Sequence, residues 1–568
     1  MCGMCDKMVI AIAEGDDLSG AEPPPCAEPP NEGSGSATPG AGKPFYNVDQ
    51  IADYLTEGYW RDSSGYGKRA FDVDPGGSLS VNITSLPTEQ KDLARMALES
   101  WSDTIGINFV EVSKNAQITF SNENSGAWGG QSSYYPSSGR IVTSVVNVAD
   151  SWVDSYGTAF DRHTFQTYLH EIGHALGLGH AGDYNGSASF SSDAHYANDS
   201  IQMTVMSYFH QTENSYVDAA KAKAVTPMAA DIAAIQDLYG VTTIRGGDTI
   251  YGNGSDGYLG LLFRQMSGAD ARDSDLYRGN DITLTLFDTG GRDLLDLSYV
   301  TEDQVVDLTP GAISDAWGVT GSLVVERSTV IENLRGGSGN DRLIGNAANN
   351  SITGGGGADE IIGGSGFDTA SYSTATSSVG LDLGGGQFVW GDAIGDTFDG
   401  IEAFRGSRWS DVFRGDSGDN RFFGGHRSDR LYGRAGDDTL NGDTGVDALY
   451  GNAGADTLTG GGDAGQRDRF IYFQESDSRV NAFDTITDFV SGVDRIEISR
   501  LDADTGTGGN QAFTLIGSAG FSGTAGELRY EQTGGTTRIL ADTDGDGAAD
   551  FRIDLTGAHT LLEGDFLL

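Results

Sequence analysis

Apolar residues follow two different rhythms along this chain, and the change comes near residue 240. Before it, Phe165, Leu169, Ile172 and Leu176 fall at i, i+4, i+7 and i+11 and predict an amphipathic helix. Leu93, Ala97 and Trp101 share one face of another helix, opened by Pro87, Thr88 and Gln90. Ile232, Ile235 and Leu238 predict a third over residues 227–239, closed by Gly240. Residues 81–84, 107–112 and 117–121 read as strands, the last a candidate for the sheet edge along which a peptide could pair. This mixture predicts an α/β domain over residues 44–240.

Beyond residue 240 the helical spacing stops, and short apolar runs stand between glycine and aspartate. Residues 249–251 and 282–287 read as strands in a β-rich region reaching residue 335. Residues 288–293 form a tight acidic turn whose hard oxygen donors suit calcium. A nine-residue period then sets in, with nonads beginning at Gly336, Gly345, Gly354 and Gly363, and again from Gly406 through Gly433 and Gly442 to Gly451. Each nonad gives a glycine-rich turn, whose carbonyls can face inward, and a short strand whose apolar eighth residue packs the interior. That is the pattern of a parallel β-roll.

The sixth place carries Asp341, Asp359, Asp368, Asp411, Asp429, Asp438, Asp447 and Asp456, and carboxylates from stacked turns there can bracket Ca²⁺. Carbonyls at Gly336, Gly354, Gly433, Gly442 and Gly451 are further candidate ligands. Asn350 and Asn420 replace the carboxylate in the second nonad of each block and should bind more weakly. The predicted architecture is multidomain. The α/β domain is followed by an all-β parallel β-roll in two blocks, 336–371 and 406–470, around a spacer at 372–405, and then by a β-sandwich region over 471–568. The spacer resembles an internal duplication, with Ser371, Leu381 and Glu402 echoing Ser298, Val306 and Glu332.

Charge sharpens this picture. Thirty-five Lys and Arg stand against 82 Asp and Glu, a formal charge of −47, which repels nucleic acid and anionic membranes and demands multivalent counter-ions. Stacked carboxylates repel one another without calcium, so the roll should fold only where calcium is present. The three cysteines, Cys2, Cys5 and Cys26, all lie near the start, so no disulfide framework holds the body together. Residues 1–43, rich in Pro, Gly, Ala and Glu, read as a disordered tail. No stretch is long enough to span a bilayer, and the apolar run at 8–13 is too short for a signal-peptide core.

The chemistry sits in HEIGHALGLGH, residues 170–180. His170 and His174 project from one helix face a turn apart, and Gly177 lets the chain break and swing His180 round as a third metal ligand. Three neutral nitrogens suit zinc and leave one position open for water. Zinc lowers the pKa of such a water to about 7, and Glu171 is placed to take its proton. Downstream, residues 204–208 bring a methionine and a phenol within reach.

These residues resemble the serralysin family of secreted zinc endopeptidases, whose proteinase domain has the metzincin fold and is followed by calcium-binding RTX repeats. The resemblance implies zinc held by His170, His174, His180 and a switchable Tyr208, with Glu171 as base and then acid, and Tyr208 stabilising the oxyanion. Met206 would form the floor under the metal. Ala181 departs from the proline usual after the third histidine. Calcium ligands beside the repeats are implied at Arg245, Gly247, Thr249, Asp288, Gly290, Gly291, Asp293 and Glu332.

By the same resemblance, residues 1–43 are a propeptide. Cys26 is either a thiolate that plugs the zinc or an incidental residue of a solvated tail. The ending Asp565, Phe566, Leu567, Leu568 resembles that of type I secretion substrates, which with no N-terminal signal peptide implies export by that machinery. The expected protein is a secreted endopeptidase acting on protein substrates, with one catalytic Zn²⁺ and several structural Ca²⁺. It has no nucleic-acid partner and no stable membrane insertion, and its oligomeric state is open. The alternative is a calcium-dependent surface-layer or adhesion protein with a vestigial protease domain.

Overall fold

The computed structural model describes residues 42–568, apart from 66, 215, 253, 272, 387–388 and 463–464, together with the backbone of Ile10–Ala11. The three cysteines lie outside the described residues. The chain divides into two compact units, Met1–Asn333 and Leu334–Leu568.

The first unit is built on strands β1 (Ser78–Asn82), β2 (Asn108–Glu111), β3 (Ile118–Ser121), β4 (Ala127–Tyr135) and β5 (Arg140–Val148). They lie in the order β4-β5-β3-β1-β2, and all pair in parallel except β4 with β5. Helices α1 (Thr88–Ile105), α2 (His163–Leu176) and α3 (Ala229–Tyr239) bury the apolar faces that their spacing predicts. The Trp101 indole N–H donates to the Leu169 carbonyl at 3.0 Å and ties α1 to α2.

Two expectations need correction. The stretch 117–121 is no edge: β3 lies between β5 and β1, so both its ladders are taken. Alternation shows that a stretch is a strand but not where in the sheet it sits. The antiparallel β4 borders the sheet, with the short strand Ile10–Ala11 paired in parallel to Ser133 and Tyr134 on its outer side. Its run AWGGQSSYY is too polar and glycine-rich to announce a strand.

Nor do helices stop at residue 240. A fourth, α4 (Gly257–Ser267), buries Tyr258, Leu259, Leu262 and Phe263 on one face. Gly254, Gly257 and Gly260 hide that stripe in a region otherwise read as turns.

The second unit is the roll. Strands at Ser351–Thr353, Thr369–Ser371, Ala403–Arg405, Arg421–Phe423, Thr439–Asn441, Thr457–Thr459 and Asp484–Ile486 stack in parallel on one side. Gly380–Asp382, Val412–Arg414, Arg430–Ala435, Ala448–Ala453, Arg469–Ile471 and Arg495–Glu497 stack on another. The spacer therefore continues the roll rather than interrupting it. The eighth residue of every nonad from Leu343 to Leu458 is buried, the small Ala370 included. Phe413 and Phe422 meet edge to face at 5.6 Å in the interior.

Beyond the repeats, Glu527–Thr533, Thr536–Asp542 and Phe551–Thr556 form an antiparallel meander joined to the same stack. The last strand, Phe566–Leu567, pairs with Arg495–Glu497, and Asp565 accepts from the Ser491 hydroxyl and the Gly492 N–H.

Candidate metal centres

The first centre is assembled by α2 and the turn that follows it. His170, His174 and His180 are all buried, and their ligand nitrogens lie within 4.8 Å of one another. His170 Nδ1–H donates to the Val205 carbonyl at 2.7 Å and His174 Nδ1–H to the Leu178 carbonyl at 2.8 Å. A carbonyl can only accept, so these bonds fix the tautomer and turn the Nε2 lone pairs to the common point. Nε2 of His174 and Nε2 of His180 stand 2.9 Å apart, and the Tyr208 hydroxyl lies 3.1 Å from Nε2 of His180. Burial pushes all three imidazole pKa values down, that of His174 to about 4, so the rings are neutral ligands at ordinary pH. Neutral nitrogens facing one another across a short gap fit a zinc ion.

Glycines make room for this geometry. Gly177 ends α2 with φ +118°, and a Cβ there would lie 2.0 Å from the Arg69 carbonyl. The Trp60 indole donates to the Gly177 carbonyl at 2.7 Å and pins the reversal that brings back His180. Gly173 faces the Met206 sulfur, where a Cβ would come within 2.6 Å. Glu171 is buried, and its backbone lies against β4, where a Cβ on Gly129 would stand 2.3 Å from its carbonyl. Ala181 sits buried with its N–H towards the Met206 carbonyl at 3.4 Å, a contact that proline could not make.

Sequence reasoning missed the carboxylates behind the turn. Asp231, in the first turn of α3, accepts from the Val205 and Met228 N–H groups at 2.7 and 2.8 Å and from the Thr204 hydroxyl. Asp199 accepts from the Ser207 hydroxyl at 2.6 Å and from the Tyr184 hydroxyl. Burial raises both to about 7, against the pull of those donors. Their only sequence signal is an acid at a helix start and another in a loop. His163, His195 and His210 lie outside the triad of ligand nitrogens.

A second centre lies in the first unit, ahead of the repeats in sequence. Asp288 accepts from the Tyr251 hydroxyl and the Gly290 N–H, Asp293 from the Thr249 N–H, and Glu332 from the Asp293 N–H. A Cβ on Gly291 would lie 2.5 Å from the Gly247 carbonyl. Burial first, then neighbouring carboxylates, raise Asp293 to about 6. The Arg245 side chain turns to Asp103 and the Phe287 carbonyl.

In the roll the sixth-place carboxylates form ladders. Asp341 donates its N–H to Oδ1 of Asp359, Asp411 to Asp429, Asp429 to Asp447 and Asp438 to Asp456, each 18 residues on. Each ladder continues past the repeats, Asp359 to Asp396, Asp368 to Glu402, Asp447 to Asp468 and Asp456 to Asp484. These four acceptors were missed because their spacings of 37, 34, 21 and 28 residues break the period.

Oδ2 of Asp359, Asp368, Asp429, Asp438, Asp456 and Asp484 is buried without a hydrogen-bond partner. The glycines cradle the same points. A Cβ on Gly336 would meet the Gly354 carbonyl at 2.4 Å and Asp341 Oδ2 at 2.6 Å, and one on Gly354 would meet Asp359 Oδ2 at 2.2 Å. Gly433, Gly442 and Gly451 repeat this with Asp438, Asp447 and Asp456. Orphaned carboxylate oxygens beside carbonyls fit calcium. Asp411 differs, since Val379 and Ser407 donors take both its oxygens.

Comparison with known proteins agrees with both kinds of centre. A family model described as peptidase M10 serralysin C terminal matches residues 241–385 and 423–568, a little over half of the chain. A matrixin model matches 79–188, a peptidase M66 model 149–244, and a model of the RTX calcium-binding nonapeptide repeat 396–431. The metallopeptidase AprA of Pseudomonas marginalis is 33% identical over 335 residues, 54% of this chain and 66% of that protein. Serralysin B of Dickeya chrysanthemi is 34% identical over 338 residues, covering 53% and 65%. A serralysin of Photorhabdus luminescens is 36% identical over 279 residues, covering 45% and 52%. The chain thus spans between half and just under two thirds of these relatives' length.

Proposed function

Because the chain belongs to the peptidase M10 serralysin family, we propose that it is a secreted zinc endopeptidase of protein substrates, folded and stabilised by calcium. The observation that carries this reading is the trio of neutral, buried imidazoles beside Glu171, with His170 and His174 anchored to backbone carbonyls.

His170, His174 and His180 would hold the zinc, which when bound supplies a Lewis acid for the scissile carbonyl and makes water easier to deprotonate. Glu171 would take the proton of the attacking water and return it to the leaving amine. Tyr208, now on His180, would release it and donate to the oxyanion. Met206, buried against Gly173, would floor the site. A substrate would pair with β4, the strand that borders the sheet. Pairing of Ile10–Ala11 with that strand supports reading residues 1–43 as a propeptide, since it occupies the same backbone groups.

The C-terminal ending would address the chain to a type I secretion machinery. No helix among the described residues is long and apolar enough to cross a membrane. The test is casein cleavage by calcium-loaded protein against Glu171→Ala at matched zinc content. We expect a loss of roughly 10²-fold or more with zinc retained. If wild-type protein holds zinc and calcium and cleaves nothing, the adhesion reading takes its place.

A further inference from the structure

The second roll block carries a feature that neither catalysis nor calcium uses. Between residues 405 and 434 stand seven arginines against four aspartates, in a chain whose overall charge is −47. Along one edge of the roll the usual small turn residues are replaced by Arg408 and Trp409 in one nonad and by His426 and Arg427 in the next nonad on that edge, 18 residues on. Arg427 adopts φ 72°, a conformation that favours glycine, and lays its guanidinium over the Trp409 ring at 4.5 Å. Beside them opens a cleft of about 660 Å³ lined by Arg405, Ser407, Arg408, His426, Asp443 and Thr444 among others.

We propose that this cleft binds acidic carbohydrate, a chain containing uronate residues. Arg408 is exposed and has no hydrogen bond or ion pair among the described residues, so its fork of donors is available to a carboxylate. Arg405 is held in place by Asp443 at 3.2 Å and by the Phe423 ring at 4.8 Å. His426 Nδ1 is bonded to the Thr444 hydroxyl at 2.8 Å, which fixes the ring at the cleft wall.

Arg408, His426 and Thr444 occupy the same place in successive turns of one edge, so they form a track along the roll with the strand spacing of roughly 4.8 Å. A track of this kind suits a linear chain better than a compact anion. Asp443 narrows the chemistry. Its carboxylate would repel a phosphate dianion or a run of acidic side chains, but would accept from sugar hydroxyls. The ligand must offer carboxylate and hydroxyl together.

The experiment is calorimetric titration of the full calcium-loaded chain with trigalacturonate, its uncharged methyl ester, inorganic phosphate and a hexa-aspartate peptide, at fixed free calcium. Trigalacturonate should bind at least tenfold more tightly than the other three. Arg408→Ala should weaken it roughly tenfold to hundredfold, the effect of losing a charge-assisted bidentate contact, and Arg408→Lys by less. Casein cleavage and the melting temperature should be unchanged in both variants. Absence of trigalacturonate binding, equal binding of phosphate or hexa-aspartate, or equal affinity in Arg408→Ala and His426→Ala would overturn the proposal.

Discussion

The zinc helix and the roll meet the same problem, holding a cation, with opposite physics. At the helix the candidate ligands are neutral imidazoles, two of them tied through their second nitrogens to the Val205 and Leu178 carbonyls, so their geometry is set by the chain itself. In the roll the ligands are carboxylates stacked turn upon turn, with buried oxygens lacking any partner. One site is preorganised by hydrogen bonds. The other is a set of repulsions that a metal would resolve, which would make calcium part of the fold and zinc an addition to it.

The largest expected effect is therefore calcium removal. A chelator selective for calcium at pH 8 should abolish the strand signal of the second unit, read by circular dichroism, while zinc stays bound to the first. Full strand content in chelator would mean that the roll, like the zinc site, is set without its metal.

Next in size is Gly177→Ala, which adds a methyl group 2.0 Å from the Arg69 carbonyl at a left-handed position. It should cost about 2–4 kcal/mol in the first unit and lower zinc content, leaving the roll's calcium titration where it was. A shift in both would show that the two regions do not respond separately.

The acid dependence of the metal-free roll should run opposite to that of most proteins. Burial, and to a lesser degree neighbouring carboxylates, raises Asp359, Asp438 and Asp456 to about 7. These groups bind more protons folded than unfolded, so stability falls as pH climbs from the unfolded carboxylate value of about 4 to about 7, and is flat above. Melting temperatures in chelator should thus drop between pH 5 and 7. With calcium present the proton competes with the metal, and affinity should rise over the same interval.

The smallest effect belongs to Asn350→Asp, which restores a carboxylate at a rung where an amide now accepts from the Asn346 N–H at 2.8 Å. Calcium affinity of that block should rise several-fold, on the order of 1 kcal/mol. Unchanged affinity would mean that the amide serves the ion as well as the acid does.

What the sequence makes legible follows from how locally each feature is encoded. His170, His174 and Glu171 are fixed by helical spacing alone, and the rungs from Asp341 to Asp456 by a strict period. Asp231 and Asp199 reach the site from other parts of the chain, and no pattern near residues 204–208 points to them. Asp396, Glu402, Asp468 and Asp484 accept as a sixth-place residue does, without its spacing. The mistaken edge strand has the same origin: residues 117–121 carry the pattern of a strand, but its neighbours are decided by the whole sheet.

The ladders also have a direction. In every one, the backbone N–H of an earlier rung is received by the carboxylate of a later one, from Asp341 to Asp396, from Asn350 to Glu402, from Asp411 to Asp494 and from Asn420 to Asp484. A ribosome makes the givers before the receivers. While the chain is being synthesised each turn waits for one that does not yet exist: the first block's ladders can close only after Glu402 has emerged and the second block's only after Asp494, whereas His170 and His174 find their carbonyls within a few dozen residues.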